Sequence, residues 1–267
     1  MKRKKGYRRG YSVGILLGFE DDHAVLWRVF SRVVKRYLTV ELGGRRSDKK
    51  VLYNFHESVI DALRPVLKEG VRSIVVTAPN RTTYASDFLD HVRKHHRHLI
   101  QSKGPNRAIF AELVGSADQH YMVTELVKTK EFRELIAETT LGEVDQIINI
   151  LESHLYSVDN NSVVLYPLNE IEAMIYDRER RNDLRTEYLM LTTKYLSGSE
   201  DKNMIHRLLQ ISKNRRVKTR IVDAETSAGK RISQYGGMFF LSIASWLPRH
   251  LLDIHRHRNS CRQETDH

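Results

Sequence analysis

Cysteine is almost absent from this 267-residue chain. Cys261 is the sole one, so no intrachain disulfide and no cysteine-based zinc site can form, and the chain suits a reducing compartment. Long apolar runs are missing too. The longest, Met238 to Leu247, is interrupted by two serines and falls far short of the roughly 20 residues that a spanning helix needs. No apolar segment follows the charged N-terminus as it would in a secretion signal. No Walker loop, dinucleotide-binding glycine set or nucleophile elbow occurs, which disfavours a nucleotide-driven motor or a serine hydrolase. These absences predict a cytoplasmic protein with no membrane partner and no cofactor. Acid is lacking among the first ten residues, where Lys2, Arg3, Lys4, Lys5, Arg8 and Arg9 supply six charges of the net +11 and leave about +5 for the rest. A basic arm on a mildly basic body is the footprint of a phosphate-backbone partner, although a solubilising tail has the same composition.

The length allows one large domain or two ordinary ones, and the patterning favours two. After a basic arm over residues 1–10, the runs Ser12 to Phe19, His23 to Phe30 and Val33 to Leu42 are β-rich, with short polar breaks such as Glu20-Asp21-Asp22, and predict an antiparallel meander. Phe55, Val59, Ile60, Leu63, Val66 and Leu67 then recur at helical spacing, and Gly70 stops the helix. Ser73 to Thr77 reads as a buried strand, Thr82 to Ser102 as a helix, and Arg107 to Val114 as another strand. Helices are expected near Tyr121 to Lys128, Lys130 to Glu138 and Gly142 to Leu155. Asp159-Asn160-Asn161 marks the boundary between a first domain over 11–160 and a second over 161–246. In the second, a helix at Asn169 to Tyr176 and a charged connector lead to strands at Tyr188 to Thr192, Val217 to Val222 and Met238 to Ile243. Helices at Lys202 to Lys213 and Ala228 to Gln234 alternate with those strands, which makes an α/β/α sandwich. Residues 247–267 form a polar, His/Arg-rich tail.

The loop Gly115, Ser116, Ala117, Asp118, Gln119 sits between a strand end and a helix start, where a flexible turn can lift a glutamine toward a substrate. Gly115 lets the backbone turn and approach RNA closely. A second reading stands beside this one: Ser116-x-x-Gln119 is also a capping-box pattern that satisfies backbone donors at the start of the next helix. His91, His95 and His98 share a helix with Arg93, Lys94 and Arg97. Local carboxylates are limited to Asp87 and Asp90, and the cations oppose a divalent ion, so no metal is assigned and a solvated or RNA-facing basic helix is expected. The tail residues His250, His255 and His257 are given no metal either. Lys128 and Lys130, close after the loop, are candidate phosphate contacts as well as ordinary surface charges. Gly236-Gly237 reads as a tight turn rather than a phosphate cradle.

Ser227-Ala228-Gly229-Lys230-Arg231-Ile232, followed by Tyr235-Gly236-Gly237-Met238, resembles the end of the third domain of archaeal and eukaryotic class I peptide-chain release factors and of Pelota. Tyr166-Pro167-Leu168-Asn169-Glu170-Ile171 resembles the Tyr-Gly-x-x-Glu-Val that opens that domain, with Pro167 where glycine is usual. The three-strand opening, the strand and turn Ile74-Val75-Val76-Thr77-Ala78-Pro79, and the strand leading to the Gln loop resemble the central domain of the same superfamily. The likeness covers roughly residues 11 to 245. It implies an α/β (α+β) fold: a central-domain-like mixed sheet with helices, then an α/β/α sandwich of the ribosomal L7Ae-like kind. Release factors carry Gly-Gly-Gln where this chain has Gly115, Ser116, Ala117, Asp118, Gln119, which is closer to the loops of the Vms/ANKZF-type release-factor-like family, its archaeal members especially. Neither a decoding domain nor an Sm-like domain is expected before residue 11, so stop-codon reading is not expected.

That resemblance implies a ribosome rescue factor hydrolysing peptidyl-tRNA on stalled large ribosomal subunits, with Gln119, Gly115 and Ser116 as catalytic-loop residues. Arg93, Lys94, Arg97, Lys128, Lys130 and the arm are the RNA contacts, and an ATPase or GTPase is a candidate further partner. Two alternatives share these residues: cleavage of the tRNA phosphodiester near its 3′ end, and a non-catalytic, Pelota-like ribosome or RNA binder in which Gln119 only caps a helix.

Overall fold

The structure, a computed structural model, describes residues 10–101, 107–156, 162–176 and 185–244. The basic arm, Asp159-Asn160-Asn161, most of the charged connector and the His/Arg-rich tail lie outside the described residues.

Strands β1 (Ser12–Phe19), β2 (His23–Phe30) and β3 (Val34–Glu41) pair antiparallel in succession, which is the expected meander. On the other side of β1, β4 (Ser73–Ala78) and β5 (Ile109–Val114) run parallel to it, giving the order β3-β2-β1-β4-β5. Helices α1 (Lys49–Lys68), α2 (Tyr84–His95) and α3 (Arg97–Gln101) cover one face, and α4 (His120–Leu126) with the first part of α5 (Lys130–Tyr156) covers the other. Strand side chains alternate between faces. Ile15, Leu17, Phe19, Ile74 and Val76 therefore enter one core with Phe55, Ile60 and Phe88, while Leu16 and Val75 enter the other with Trp27, Val123 and Phe132. Burial on both faces is why β1 and β4 read as near-continuous apolar runs. Asp48 starts α1 by accepting from the backbone N–H groups of Lys50 and Val51, and Gly70, at φ +100°, follows its end.

The second sheet holds β6 (Ser162–Leu165), β7 (Arg185–Thr192), β8 (Lys218–Val222) and β9 (Met238–Ala244) in the order β6-β9-β7-β8, with β7 and β8 parallel. Helices α6 (Leu168–Tyr176), α7 (Thr193–Gly198) and α8 (Lys202–Asn214) pack on one face, and α9 (Ser227–Gln234) with the later part of α5 on the other. Two mixed sheets, each between helices, make the expected α/β class. Gly229 shows why its motif needs glycine: a Cβ there would meet Asp223 O at 2.0 Å. Gly236 and Gly237, at φ +84° and +82°, close α9 by bonding back to Ser233 O and Ile232 O, a turn as expected.

Four elements differ from expectation. The helix predicted over Thr82 to Ser102 breaks at His96, because this residue turns its ring inward to Glu57. The helices predicted to end at Glu138 and begin at Gly142 are one 27-residue helix. Gly142 is no terminus but a close approach, since a Cβ there would lie 2.7 Å from Ile109 Cδ1. The four-residue edge strand β6 was too short to give a periodic signal. Helix α7 follows β7 directly, capped by Thr192 Oγ1 accepting from Tyr195 N.

Helix α5 packs Phe132 and Ile136 against the first sheet and Val144, Ile148 and Leu151 against the second, so it belongs to both layers. At the junction, Arg220 of β8 meets Glu143 of α5 at 2.8 Å, with side chains 3% and 2% exposed. Arg220 also donates to the carbonyls of Ser12 and Val13 on β1, and Ser73 Oγ of β4 donates to Glu143. Removing one member of a buried pair strands the other charge, at about 3–5 kcal/mol, whereas apolar replacement of both is far less costly. Glu143→Leu should therefore lower the urea unfolding free energy by about 3–5 kcal/mol, and the double variant Glu143→Leu/Arg220→Met by clearly less.

Candidate functional site

Because β1, β4 and β5 are parallel, their C-terminal ends open on the same edge of the sheet, the edge where α/β folds place ligands. Three connections meet there: the turn Glu20-Asp21-Asp22 after β1, Pro79 to Thr83 after β4, and Gly115 to Gln119 after β5.

The loop is pinned at its start. Gly115 N donates to Ala78 O at 2.8 Å, Thr77 Oγ1 donates to Gly115 O, and a Cβ on Gly115 would come within 3.0 Å of Leu126 Cδ1. Glu20 Oε1 then accepts from Ser116 Oγ at 2.6 Å and from Ala117 N at 3.1 Å. Ala117 is fully buried; its carbonyl accepts from Trp27 Nε1 at 2.7 Å, and its methyl occupies space that any side chain on Gly18 would need, a Cβ there lying 2.5 Å away. The turn supplying Glu20 is itself held by Arg46, whose guanidinium donates to the Glu20 and Asp21 carbonyls and lies 3.8 Å from the Tyr84 ring centre. Tyr84 OH donates to Asp21 at 3.0 Å.

Beyond Ala117 the loop turns outward. Asp118 Oδ1 accepts from His23 Nε2 at 3.0 Å, and Asp118 Oδ2 accepts from the Gln119 amide nitrogen at 2.7 Å, with Arg36 at 3.9 Å. His23 Nδ1 is 2.6 Å from Asp22 Oδ1, so the imidazole spans two carboxylates. Burial opposes a charge on His23, but the hydrogen bonds to Asp22 and Asp118 prevail and raise its pKa above the ordinary 6.5. Burial likewise opposes ionisation of Asp118, and the Gln119 amide, His23 and Arg36 overcome it and lower its pKa.

Gln119 occupies the cap position of α4 with extended backbone, yet its side chain makes no capping bond. The capping box does not form, because Ser116 is engaged by Glu20 and Gln119 by Asp118. An exposed glutamine whose nitrogen is held by Asp118 is left with its carbonyl oxygen unpaired among the described residues. Gly115, Ser116 and Gln119 share one loop, with Gly115 and Ser116 anchored inward and Gln119 turned outward. Lys128 and Lys130 follow one short helix later, paired with Glu125 and Glu134. Arg93 and Lys94 are exposed about 15 Å along α2 from Tyr84, which meets the Asp21 turn, and Arg97 is exposed on α3. His91 corrects the expectation of a solvated basic helix, since its side chain is buried. Sequence reasoning missed Glu20, His23, Arg36 and Arg46. The acidic character of the Glu20-Asp21-Asp22 break is a signal for Glu20 alone, and no local pattern marks His23, Arg36 or Arg46.

Comparison with solved structures follows the same architecture. Archaeal Pelota, in a model of its ribosome-bound form with ABCE1, matches 91% of this chain and 64% of its own at 16% identity and a TM-score of 0.50. Saccharomyces cerevisiae Dom34, a translation termination-like factor involved in RNA quality control pathways and interacting with Hbs1, matches 91% and 66% at 17% identity and a TM-score of 0.47. The archaeal translation termination factor aRF1 matches 87% and 61% at 12% identity and a TM-score of 0.30. The chain spans just under two thirds of the length of these proteins. At 16% identity the likeness to archaeal Pelota is one of fold. No protein-family profile and no curated protein matches the chain.

His23 makes the loop anchor pH-dependent in a definite sense. Its folded pKa is raised, so the stability it contributes is full below pH 6.5 and is lost as pH rises through the folded value. NMR titration of the His23 ring should give a pKa above 6.5 that moves down toward that value in Asp118→Asn.

Proposed function

We propose that the chain is a ribosome rescue factor that hydrolyses peptidyl-tRNA on the large ribosomal subunit, with Gln119 presented to the ester at the tRNA 3′ end. The observation that carries this reading is the Gln119 side chain, exposed at the edge where three connections meet and oriented by Asp118 instead of capping its helix. With its nitrogen donating inward, the amide offers its carbonyl oxygen as an acceptor for a water hydrogen. Holding that water in line with the ester carbonyl is worth roughly 7–11 kcal/mol of barrier. No side-chain base is required if ribose hydroxyls of the tRNA carry the proton. The fold shared with ribosome-bound Pelota supports docking on a ribosome by analogy, and ABCE1 and Hbs1 beside those proteins make an ATPase or GTPase the partner class to look for. Within this superfamily the Gly115 to Gln119 loop resembles that of the Vms/ANKZF type. Arg93, Lys94, Arg97, Lys128, Lys130 and the basic arm are the proposed phosphate contacts, and their contribution falls with salt.

One observation favours the phosphodiester alternative. His120, exposed and adjacent to Gln119, donates from Nε2 to Val34 O at 3.3 Å, so in the neutral ring Nδ1 is the unprotonated nitrogen; Thr124 Oγ1, 3.4 Å from it, gives its own hydrogen to His120 O, which leaves Nδ1 as the basic nitrogen offered to a ribose 2′-hydroxyl. His23 is unsuited to that task while both its nitrogens are held by carboxylates. Release of labelled peptide from peptidyl-tRNA on purified large subunits separates the readings. Gln119→Ala should slow release by about 100-fold or more with the tRNA 3′ adenosine intact, and His120→Gln should leave release nearly unchanged. Loss of terminal nucleotides, abolished by His120→Gln, would establish the nuclease instead. Binding without release in wild type and Gln119→Ala alike would leave a ribosome-binding module.

A further inference from the structure

Away from the loop, a second cluster of side chains has no part in that reading. Glu57 of α1, His91 of α2 and His96 at the α2–α3 break converge. Glu57 Oε1 lies 2.9 Å from His91 Nε2 and 2.8 Å from His96 Nε2. The two histidine side chains are 6% and 7% exposed, while Glu57, at 29%, borders solvent.

We propose that Glu57, His91 and His96 bind one zinc ion, with water as the fourth ligand. Two imidazole nitrogens and one carboxylate oxygen are a recurrent protein ligand set for zinc. Tetrahedral bonds of 2.0–2.2 Å place ligand atoms about 3.3 Å apart, so the two carboxylate–imidazole distances need to open by about half an ångström. All three ligand atoms lie within 4.8 Å of one another, so the imidazole nitrogens need to close on each other by no more than about 1.5 Å. Protein groups alone leave the cluster crowded: two ring N–H groups converge on one carboxylate oxygen, which a metal ion between them would relieve. The cations that opposed a metal on the bare sequence are turned away. Arg93 is held by Asp90 at 2.6 Å, and Lys94 and Arg97 are exposed. The rings packed around His91 are instead those of His56, Tyr53 and His95, none of them a permanent cation. The exposed side of Glu57 gives water access to the open position. An ion there would tie α1 to the corner where α2 gives way to α3, fixing the chain that leads back into β5 and its loop.

The full-length chain, stripped of metal with a chelator, provides the test. Titration with Co²⁺ should give visible d–d bands that saturate at one equivalent, and Zn²⁺ should abolish them. At a hundredfold excess over its dissociation constant, Zn²⁺ should raise the melting temperature by about 5 °C. The tail residues His250, His255 and His257 are also potential ligands. The double variant His91→Asn/His96→Asn must therefore lose the bands, and Glu57→Gln, which keeps the size of the side chain and removes its charge, should weaken Zn²⁺ binding at least tenfold. A wild-type protein that shows neither bands nor a zinc-dependent melting shift overturns the proposal, whatever the variants do. Equal binding by wild type and double variant overturns it too, and assigns the ion to the tail.

Discussion

The buried contact between Arg220 and Glu143 is the constraint from which the arrangement of the two layers follows. One arginine from the second sheet is enclosed by a carboxylate on the shared helix and by two backbone carbonyls of β1. Desolvating both charges is costly, and the cost is offset only while all of these groups keep their places. Such a pair specifies a relative position of the units more sharply than apolar packing does, because apolar surfaces tolerate sliding and a buried guanidinium does not. The 27-residue helix α5 imposes the same restriction by covalent means. β1 thereby becomes the common reference: its first residues are gripped by Arg220, and its last lead into the turn that holds the Gln loop.

That turn converts fold into site. Glu20 accepts from Ser116 and Ala117, Trp27 donates to Ala117, and Gly18 leaves room for the Ala117 methyl. Ala117 is thus held from three directions, and the two residues after it are displaced outward. A glutamine on a rigid mount loses less conformational entropy when it engages a substrate than one on a free loop. Asp118 adds an orientation, since its carboxylate accepts only a donor and so selects the nitrogen face of the amide. The spacing of the loop is longer than Gly-Gly-Gln.

Much of this architecture was legible in the sequence wherever one period dominated. The β-rich runs from Ser12 to Phe30, the buried run Ser73 to Thr77 and the helical spacing from Phe55 to Leu67 each recorded a single burial demand. Signals failed where two demands met. Gly142 resembled a helix stop because its close approach to Ile109 depends on a strand 33 residues earlier. His96 resembled one more position of a basic helix because its partner, Glu57, lies on another element. The loop itself was found by its composition, but its supports were not. Glu20 and His23 are separated from it by about 95 residues, and only the parallel pairing of β1, β4 and β5 brings those strand ends together.

The same pairing answers an electrostatic objection to RNA at this edge. Glu20, Asp21, Asp22 and Asp118 cluster where a polyanion is proposed to approach, and unscreened like charges would repel it. Each of these carboxylates, however, is engaged by donors. Glu20 is taken by a hydroxyl and an amide, Asp21 by Tyr84, and Asp22 and Asp118 share the His23 imidazole, with Arg36 alongside. While His23 is protonated, it and the two acids it bridges carry a net charge of only −1 together. Arg36 and Arg46 bring the local balance nearer to neutral, which lowers the repulsion that the proposed tRNA end would meet. His23 deprotonation would remove that compensation and loosen the loop together, which makes the imidazole the point where the electrostatics of approach and the mounting of Gln119 are coupled.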